Sequence, residues 1–408
     1  MIANLLNLNA LEVIGLATIL GYITGKLCMK LKIPAVAGYV LIGVVLGPSL
    51  LNIFSEKILV NVNIISDLAL AIIAFIVGSE IKLYELYTSG KKIIIIALFE
   101  SLTTFLLVST ATMFFFKNAP LALILGAIGS ATAPAATVMV IKELKANGPL
   151  TKMILAVVAI DDAFALMFYS LAASIAKVLL VPTSNPNFAK ILFFAAEEIV
   201  LSLLIGLIAG YIIVNVSRKS IQSENLYIIN FGTLLLITGL ANTLDLSPLL
   251  TNMTYGVILS NFSRLSGKKL IDFVQRISPP IFIAFFVTAG AHLKISVLFS
   301  LWAIVLVFLI SRFIGKISGA SLGAKIADAE PVVKKYIGFS LLSQIGVAIG
   351  LALIVAKDFG NLGIHGKAMA SIIINVLLGS TIITEVVGPI MTKISLTKAG
   401  EANKTRRQ

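Results

Sequence analysis

Asp161 and Asp162 stand side by side in the stretch Ala156–Leu171, AVVAIDDAFALMFYSL, with apolar residues on both sides. A charged group at membrane depth is costly, and where it occurs it faces a bundle interior or an aqueous cavity. Adjacent residues on a helix point about 100° apart, so the two carboxylates serve different partners. Their mutual repulsion makes them take up and release protons as one coupled unit. Carboxylate oxygens also suit a hard alkali cation such as Na⁺. A proton and a cation competing for one carboxylate is the minimal chemistry of exchange. The plainer alternative is a pair of aspartates that bind a lysine and only hold the bundle together.

The positive counterpart lies in Ser311–Gly319, SRFIGKISG, where Arg312 and Lys316 are four residues apart and share one helical face. Gly315, Gly319 and Gly323 offer a smooth surface for close helix approach. One of the two cations is expected to pair with one aspartate. A desolvated lysine releases its proton and an arginine does not, so Lys316 paired with Asp161 would carry a transported proton. Arg312 would then snorkel or form a second pair.

Gly129–Thr137, GSATAPAAT, holds Pro134. Proline removes a backbone donor and clashes with the carbonyl four residues back, so the helix is expected to open near Ser130. Freed carbonyls at depth are tolerated only beside protein or water, which makes them candidate cation ligands. A counterpart is expected in Ser343–Gly350, SQIGVAIG, with Gln344 and Gly346 at the unwound point. An ordinary proline kink is the alternative. Glu100, Glu197, Glu198, Asn375 and Glu385 read as packing or interfacial groups. His292 and His365 fall near outer ends or loops, so a histidine-based cytoplasmic pH switch is unsupported.

These residues need a scaffold that the composition already describes. Hydrophobic residues make up 58% of the 408 and charged residues 12%, where a soluble domain carries about a quarter charged. A spanning helix takes about 20 mostly apolar residues. The apolar runs predict about thirteen spans, near 10–29, 34–51, 62–79, 92–116, 119–141, 150–179, 190–216, 225–244, 247–261, 273–291, 297–324, 332–356 and 367–391. The expected fold class is an all-α membrane protein. With the N-terminus outside and the C-terminus cytoplasmic, most of the 32 lysines and arginines fall in inward loops, as the positive-inside rule requires. The net charge of +13 is therefore topogenic, and nucleic acid is not an expected partner. The single cysteine, Cys28, excludes internal disulfides and offers no metal cluster. Residues 1–10 lack a basic n-region, so no cleavable signal is expected. The short polar stretch Thr397–Gln408 gives no expectation of a soluble regulatory domain.

Two local similarities suggest an internal repeat. Ile33-Pro34 followed by Gly43-Val44-Val45-Leu46 matches Ser247-Pro248 followed by Gly256-Val257-Ile258-Leu259. Ala74-Phe75-Ile76-Val77 with Lys82 matches Ala284-Phe285-Phe286-Val287 with Lys294. Both pairs lie seven spans apart, so the copies have opposite orientation. Two inverted six-helix repeats joined by a linker helix, with crossed broken helices, is a transporter architecture whose site lies near the midplane.

At these residues the chain resembles the cation:proton antiporter-2 family, which includes NapA-like sodium/proton antiporters and KefC-type potassium efflux systems. Lys32 to Tyr39 through Gly47-Pro48 is similar to that family's second span, Thr132 to Thr137 to its unwound helix, and Asp161-Asp162 to its aspartate pair. Lys316 to Gly319 through Lys325 is similar to the stretch that holds its ion-pair lysine. The resemblance covers essentially the whole chain. It implies that Asp162 is the main Na⁺ ligand, that Asp161 pairs with Lys316 and that Thr132 adds an oxygen, with Ser130 beside it. It also implies a homodimer, with a core (about 91–180 and 296–395) moving in elevator fashion against a dimerisation part (about 1–90 and 225–295), joined by a linker helix (about 190–216). Family members with two aspartates and the lysine are generally electrogenic, and they use no cofactor beyond the transported cation and proton. One departure is that many relatives carry an arginine and a glutamate where this chain has Gln344-Ile345-Gly346. The lack of a nucleotide-binding tail argues against a KefC-like gated system.

The expected function is Na⁺(Li⁺)/H⁺ exchange in the inner membrane, with K⁺/H⁺ exchange as runner-up. An intramembrane aspartyl protease would need its aspartates on separate helices, usually with a GxGD sequence, and neither condition is met. A channel would favour a continuous polar pore over one carboxylate site with its own buried lysine.

Overall fold

The computed structural model describes residues 9–30, 35–55, 58, 59, 62–81, 83, 90–180, 188–218, 223–263, 265–293, 300–360 and 362–402. Lys32 to Pro34, Lys82 and Lys294 of the sequence motifs lie outside the described residues. Fifteen α-helices fill the rest, in the order α1 (Ala10–Lys30), α2 (Ala35–Leu46), α3 (Asn63–Glu80), α4 (Gly90–Phe116), α5 (Ala119–Gly129), α6 (Pro134–Glu143), α7 (Pro149–Leu180) and α8 (Phe188–Arg218). They continue with α9 (Ser223–Thr243), α10 (Pro248–Phe262), α11 (Leu265–Ala291), α12 (Trp302–Ile326), α13 (Pro331–Tyr336), α14 (Val347–Gly360) and α15 (Gly363–Lys398). Eight of the described helices are long and apolar enough to cross a membrane.

The surface is inverted relative to a soluble protein. Phe114, Phe115, Ile228, Leu236 and Trp302 are all exposed, whereas Glu100, Asp161, Arg312 and Lys316 are fully buried. Apolar side chains outside and charges inside are what a bilayer solvent selects, because lipid solvates the first and not the second.

Two helices are interrupted, for local reasons. Asn118 caps α5, its side chain accepting from the Leu121 N–H at 3.0 Å. That helix stops at Gly129, and α6 starts at Pro134, the first-turn position where a missing N–H costs nothing. The second interruption is longer than the sequence suggested. The predicted span 332–356 becomes the short α13, a 3₁₀ turn at Gly338–Ser340, an unwound stretch and then α14. Gly346 holds φ +46°, a left-handed conformation that suits glycine. The two interruptions touch, the Ala133 N–H donating to Ser343 O at 3.0 Å.

Glycines bring the surrounding helices into backbone contact. A Cβ on Gly319 would lie 2.7 Å from Phe99 O and 2.9 Å from Glu100 Cα, so α12 rests directly on α4. Gly319→Ala is expected to push these helices apart and cost about 1–3 kcal/mol, read as a lower melting temperature of the purified protein.

Candidate functional site

Six side chains and two broken backbones meet in the bundle interior. α7 carries Asp161 and Asp162, α12 carries Arg312 and Lys316, α4 carries Glu100, and Thr132 sits in the first interruption. All six are 2% exposed or less.

Asp162 faces the opened backbone. Its Oδ1 accepts from the Thr132 N–H at 3.2 Å, a donor that an unbroken helix would have spent internally. Ser130 keeps its hydroxyl on Ala127 O at 2.6 Å and turns its own carbonyl toward Lys316.

Lys316 occupies the centre. Its ammonium contacts Glu100 Oε1, donates to Ser130 O, and donates to Thr132 Oγ1 at 2.6 Å. Asp161 Oδ2 lies farther away, at 3.8 Å. An ammonium has three N–H groups, so these three near acceptors use its full capacity. Asp161 remains an electrostatic neighbour, and neither of its oxygens completes a hydrogen bond among the described residues.

Glu100, which the sequence reads as a packing or interfacial group, is fully buried inside the bundle. It is the nearest carboxylate to Lys316, and Ser101 Oγ donates to its Oε2 at 3.0 Å. Its partner is 216 residues away in sequence, and the contact exists only because the glycine face of α12 admits α4.

Among the described residues Arg312 forms no ion pair with an aspartate, which separates its role from that of Lys316. Its Nε donates to Gly129 O at 3.0 Å, Nη1 to Leu342 O at 2.7 Å, and Nη2 to Ala131 O at 2.9 Å and Ser343 O at 3.3 Å. The guanidinium therefore ties the carbonyls of both interruptions together, where unpaired carbonyls would be costly. Gln344 helps, its Nε2 donating to Ile128 O at 2.9 Å. A lysine has one donor point where the arginine has a rigid fork. Arg312→Lys is expected to cost about 2–4 kcal/mol through the orphaned carbonyls, measured by thermal melting in detergent.

The arrangement offers carboxylate and hydroxyl oxygens to a cation inside the bundle, with a buried lysine to compensate charge. It offers no proteolytic geometry, since both aspartates lie on one helix as neighbours.

Buried charge around paired helix breaks, inside an apolar helical shell, defines a membrane transporter rather than an enzyme. The sodium/hydrogen exchanger transmembrane family matches residues 15–397, and the chain belongs to that family. The antiporter-2 label suggested by the motifs is slightly off, while the resemblance to sodium/proton antiporters holds. The chain is 24% identical over 374 residues to the ammonium/H⁺ antiporter subunit AmhT of Alkalihalophilus pseudofirmus, covering 88% of this chain and 91% of that one. It is 23% identical over 411 residues to the Na⁺/H⁺ antiporter NhaS4 of Synechocystis, covering 95% and 96%. The fold matches that of the sodium proton antiporter MjNhaP1 of Methanocaldococcus jannaschii with a TM-score of 0.76 at 19% identity, over 96% of this chain and 98% of that one.

Proposed function

We propose that this family member is an electrogenic Na⁺(Li⁺)/H⁺ antiporter of the inner membrane, with Asp162 as the principal cation ligand and Thr132 and Asp161 beside it. The observation that carries the reading is the buried triad of Asp161, Asp162 and Lys316 at the first interruption. Cation and proton compete for the aspartates, and each cycle exposes them to one side of the membrane and then the other. The proposed topology has thirteen spans, with the N-terminus outside and the C-terminus cytoplasmic. The inverted repeat finds support in reciprocal packing. A Cβ on Gly43 of α2 would meet Val287 O of α11 at 2.0 Å, and one on Gly256 of α10 would meet Phe75 O of α3 at 2.1 Å. Each short helix of one proposed repeat thus lies against the next helix of the other. A core of α4–α7 and α12–α15 moving against a homodimeric remainder follows from the family resemblance.

The test is proton flux in proteoliposomes on addition of Na⁺, Li⁺, K⁺ or NH₄⁺, the last because one relative's name includes ammonium. Na⁺ and Li⁺ are expected to drive flux that responds to an imposed membrane potential. Flux with K⁺ alone would transfer the assignment to K⁺/H⁺ exchange, and no cation response at all would refute exchange.

A further inference from the structure

Glu385 is a buried carboxylate that the exchange reading leaves without a task. It lies on α15, the helix after the second interrupted span (α13 and α14), as Asp161 and Asp162 lie on α7, the helix after the first (α5 and α6). It is 2% exposed, and neither of its oxygens completes a hydrogen bond among the described residues. Ser343 Oγ and Gln344 Oε1, both on fully buried residues, are in the same condition.

These groups are neighbours. Thr384 Oγ1, one residue before Glu385, donates to Gln344 O at 3.3 Å. The backbone N–H of Gln344 faces the Glu385 carboxylate. Gly388, one turn further along α15, abuts Ser343 Oγ.

The cluster's donors are the Ser343 hydroxyl and the Gln344 N–H, fewer than the lone pairs on the Glu385 carboxylate and Gln344 Oε1. Gln344 has committed its amide nitrogen to Ile128 O, so its Oε1 can only accept. Acceptor positions left without a donor carry an uncompensated desolvation cost. One proton on Glu385 reduces it, because the carboxyl O–H is then a further donor among these acceptors.

The charged surroundings are sparse. α15 packs against α5, α6, α7, α12, α14 and the Gly338–Ser340 turn. α5 and the turn have no ionisable residue, while Lys142 and Glu143 of α6 and Lys357 and Asp358 of α14 stand at the helix ends remote from the interruptions. Lys152 and Lys177 of α7 and Lys325 of α12 also stand near helix ends. Asp161, Asp162 and Lys316 surround the first interruption, and Arg312 is the charged group that acts on Glu385.

We propose that Glu385 and Gln344 form a second proton-binding site, coupled to the aspartate site through Arg312. The guanidinium bonds Leu342 O and Ser343 O beside Glu385, and Gly129 O and Ala131 O beside Thr132. A negative charge appearing on Glu385 draws this guanidinium and loosens its hold on the carbonyls that frame the Asp162 site. The coupling rests on the exchange reading, whereas proton binding at Glu385 does not.

The test uses pH-difference infrared spectra of the full-length protein in lipid, following the stretching band of protonated carboxyls. A pH-dependent band is expected in the wild type and in Asp161→Asn/Asp162→Asn, and it is expected to be lost when Glu385→Gln is added to that double variant. A spectrum unchanged by Glu385→Gln would overturn the site. Should that variant fail to fold, Glu385→Asp keeps a titrating carboxyl in a shifted environment, and a band identical to wild type would overturn the proposal equally. In proteoliposomes, Glu385→Gln is expected to make the pH dependence of Na⁺-driven flux shallower, and an unchanged profile would overturn the coupling. Absence of Na⁺-driven flux in the wild type would refute exchange while leaving the infrared result standing.

Discussion

Asparagine in place of Asp162 is expected to abolish cation-driven proton flux while leaving the protein folded. The Thr132 N–H that now donates to Asp162 Oδ1 can donate equally to an asparagine oxygen, so the backbone at the interruption keeps its partner. What disappears is the negative charge. A cation held by this buried carboxylate is a buried ion pair, and removing one partner of such a pair costs about 3–5 kcal/mol. That corresponds to more than about a hundredfold in affinity. Uptake assays in proteoliposomes, with melting curves to show that the variant is folded, decide the matter. Flux that survives would remove Asp162 from the centre of the mechanism.

The aspartates were legible in the sequence because a charge inside an apolar run is its own signal, whatever packs around it. Pro134 was legible for a similar local reason, since the pyrrolidine ring opens a helix without help from the rest of the fold. The second interruption takes in Gln344 and Gly346 but is longer than the sequence suggests, as no proline marks residues 337–346. Glu100 was not legible. It follows Ala97-Leu98-Phe99 and precedes Ser101, an unremarkable setting, and only contact between α4 and α12 gives it meaning. The glycines at 315, 319 and 323 announced that some helix comes close, and Thr104, Phe99 and Ile96 show which one. Arg312 was half legible. Its burial was foreseeable, but its partners are backbone carbonyls, and side-chain identity carries no trace of them.

Lys316→Gln should produce the largest loss of stability, and its partner variant should explain why. The wild-type ammonium is in contact with Glu100 and lies 3.8 Å from Asp161, all three side chains being fully buried. Removing the lysine leaves those carboxylates without a compensating charge, at a cost of about 3–5 kcal/mol. Glu100→Gln/Lys316→Gln removes a charge of each sign and leaves two amides that can bond each other, so most of that loss is expected to be recovered. A double variant as unstable as Lys316→Gln would mean that Asp161, not Glu100, is the partner that matters. Transport separates the same alternatives. If Lys316 carries a proton by pairing with Asp161, Lys316→Gln reduces the charge moved per cycle, read from reversal potentials in proteoliposomes. If Glu100 keeps the lysine charged throughout, the charge per cycle is unchanged and the aspartates alone carry the protons. The three near acceptors around the ammonium, none of them Asp161, favour the second outcome in the state described here. Proton transfer through Lys316 then requires a second state in which the lysine leaves Glu100 for Asp161. The double-variant cycle measures that preference as a coupling free energy.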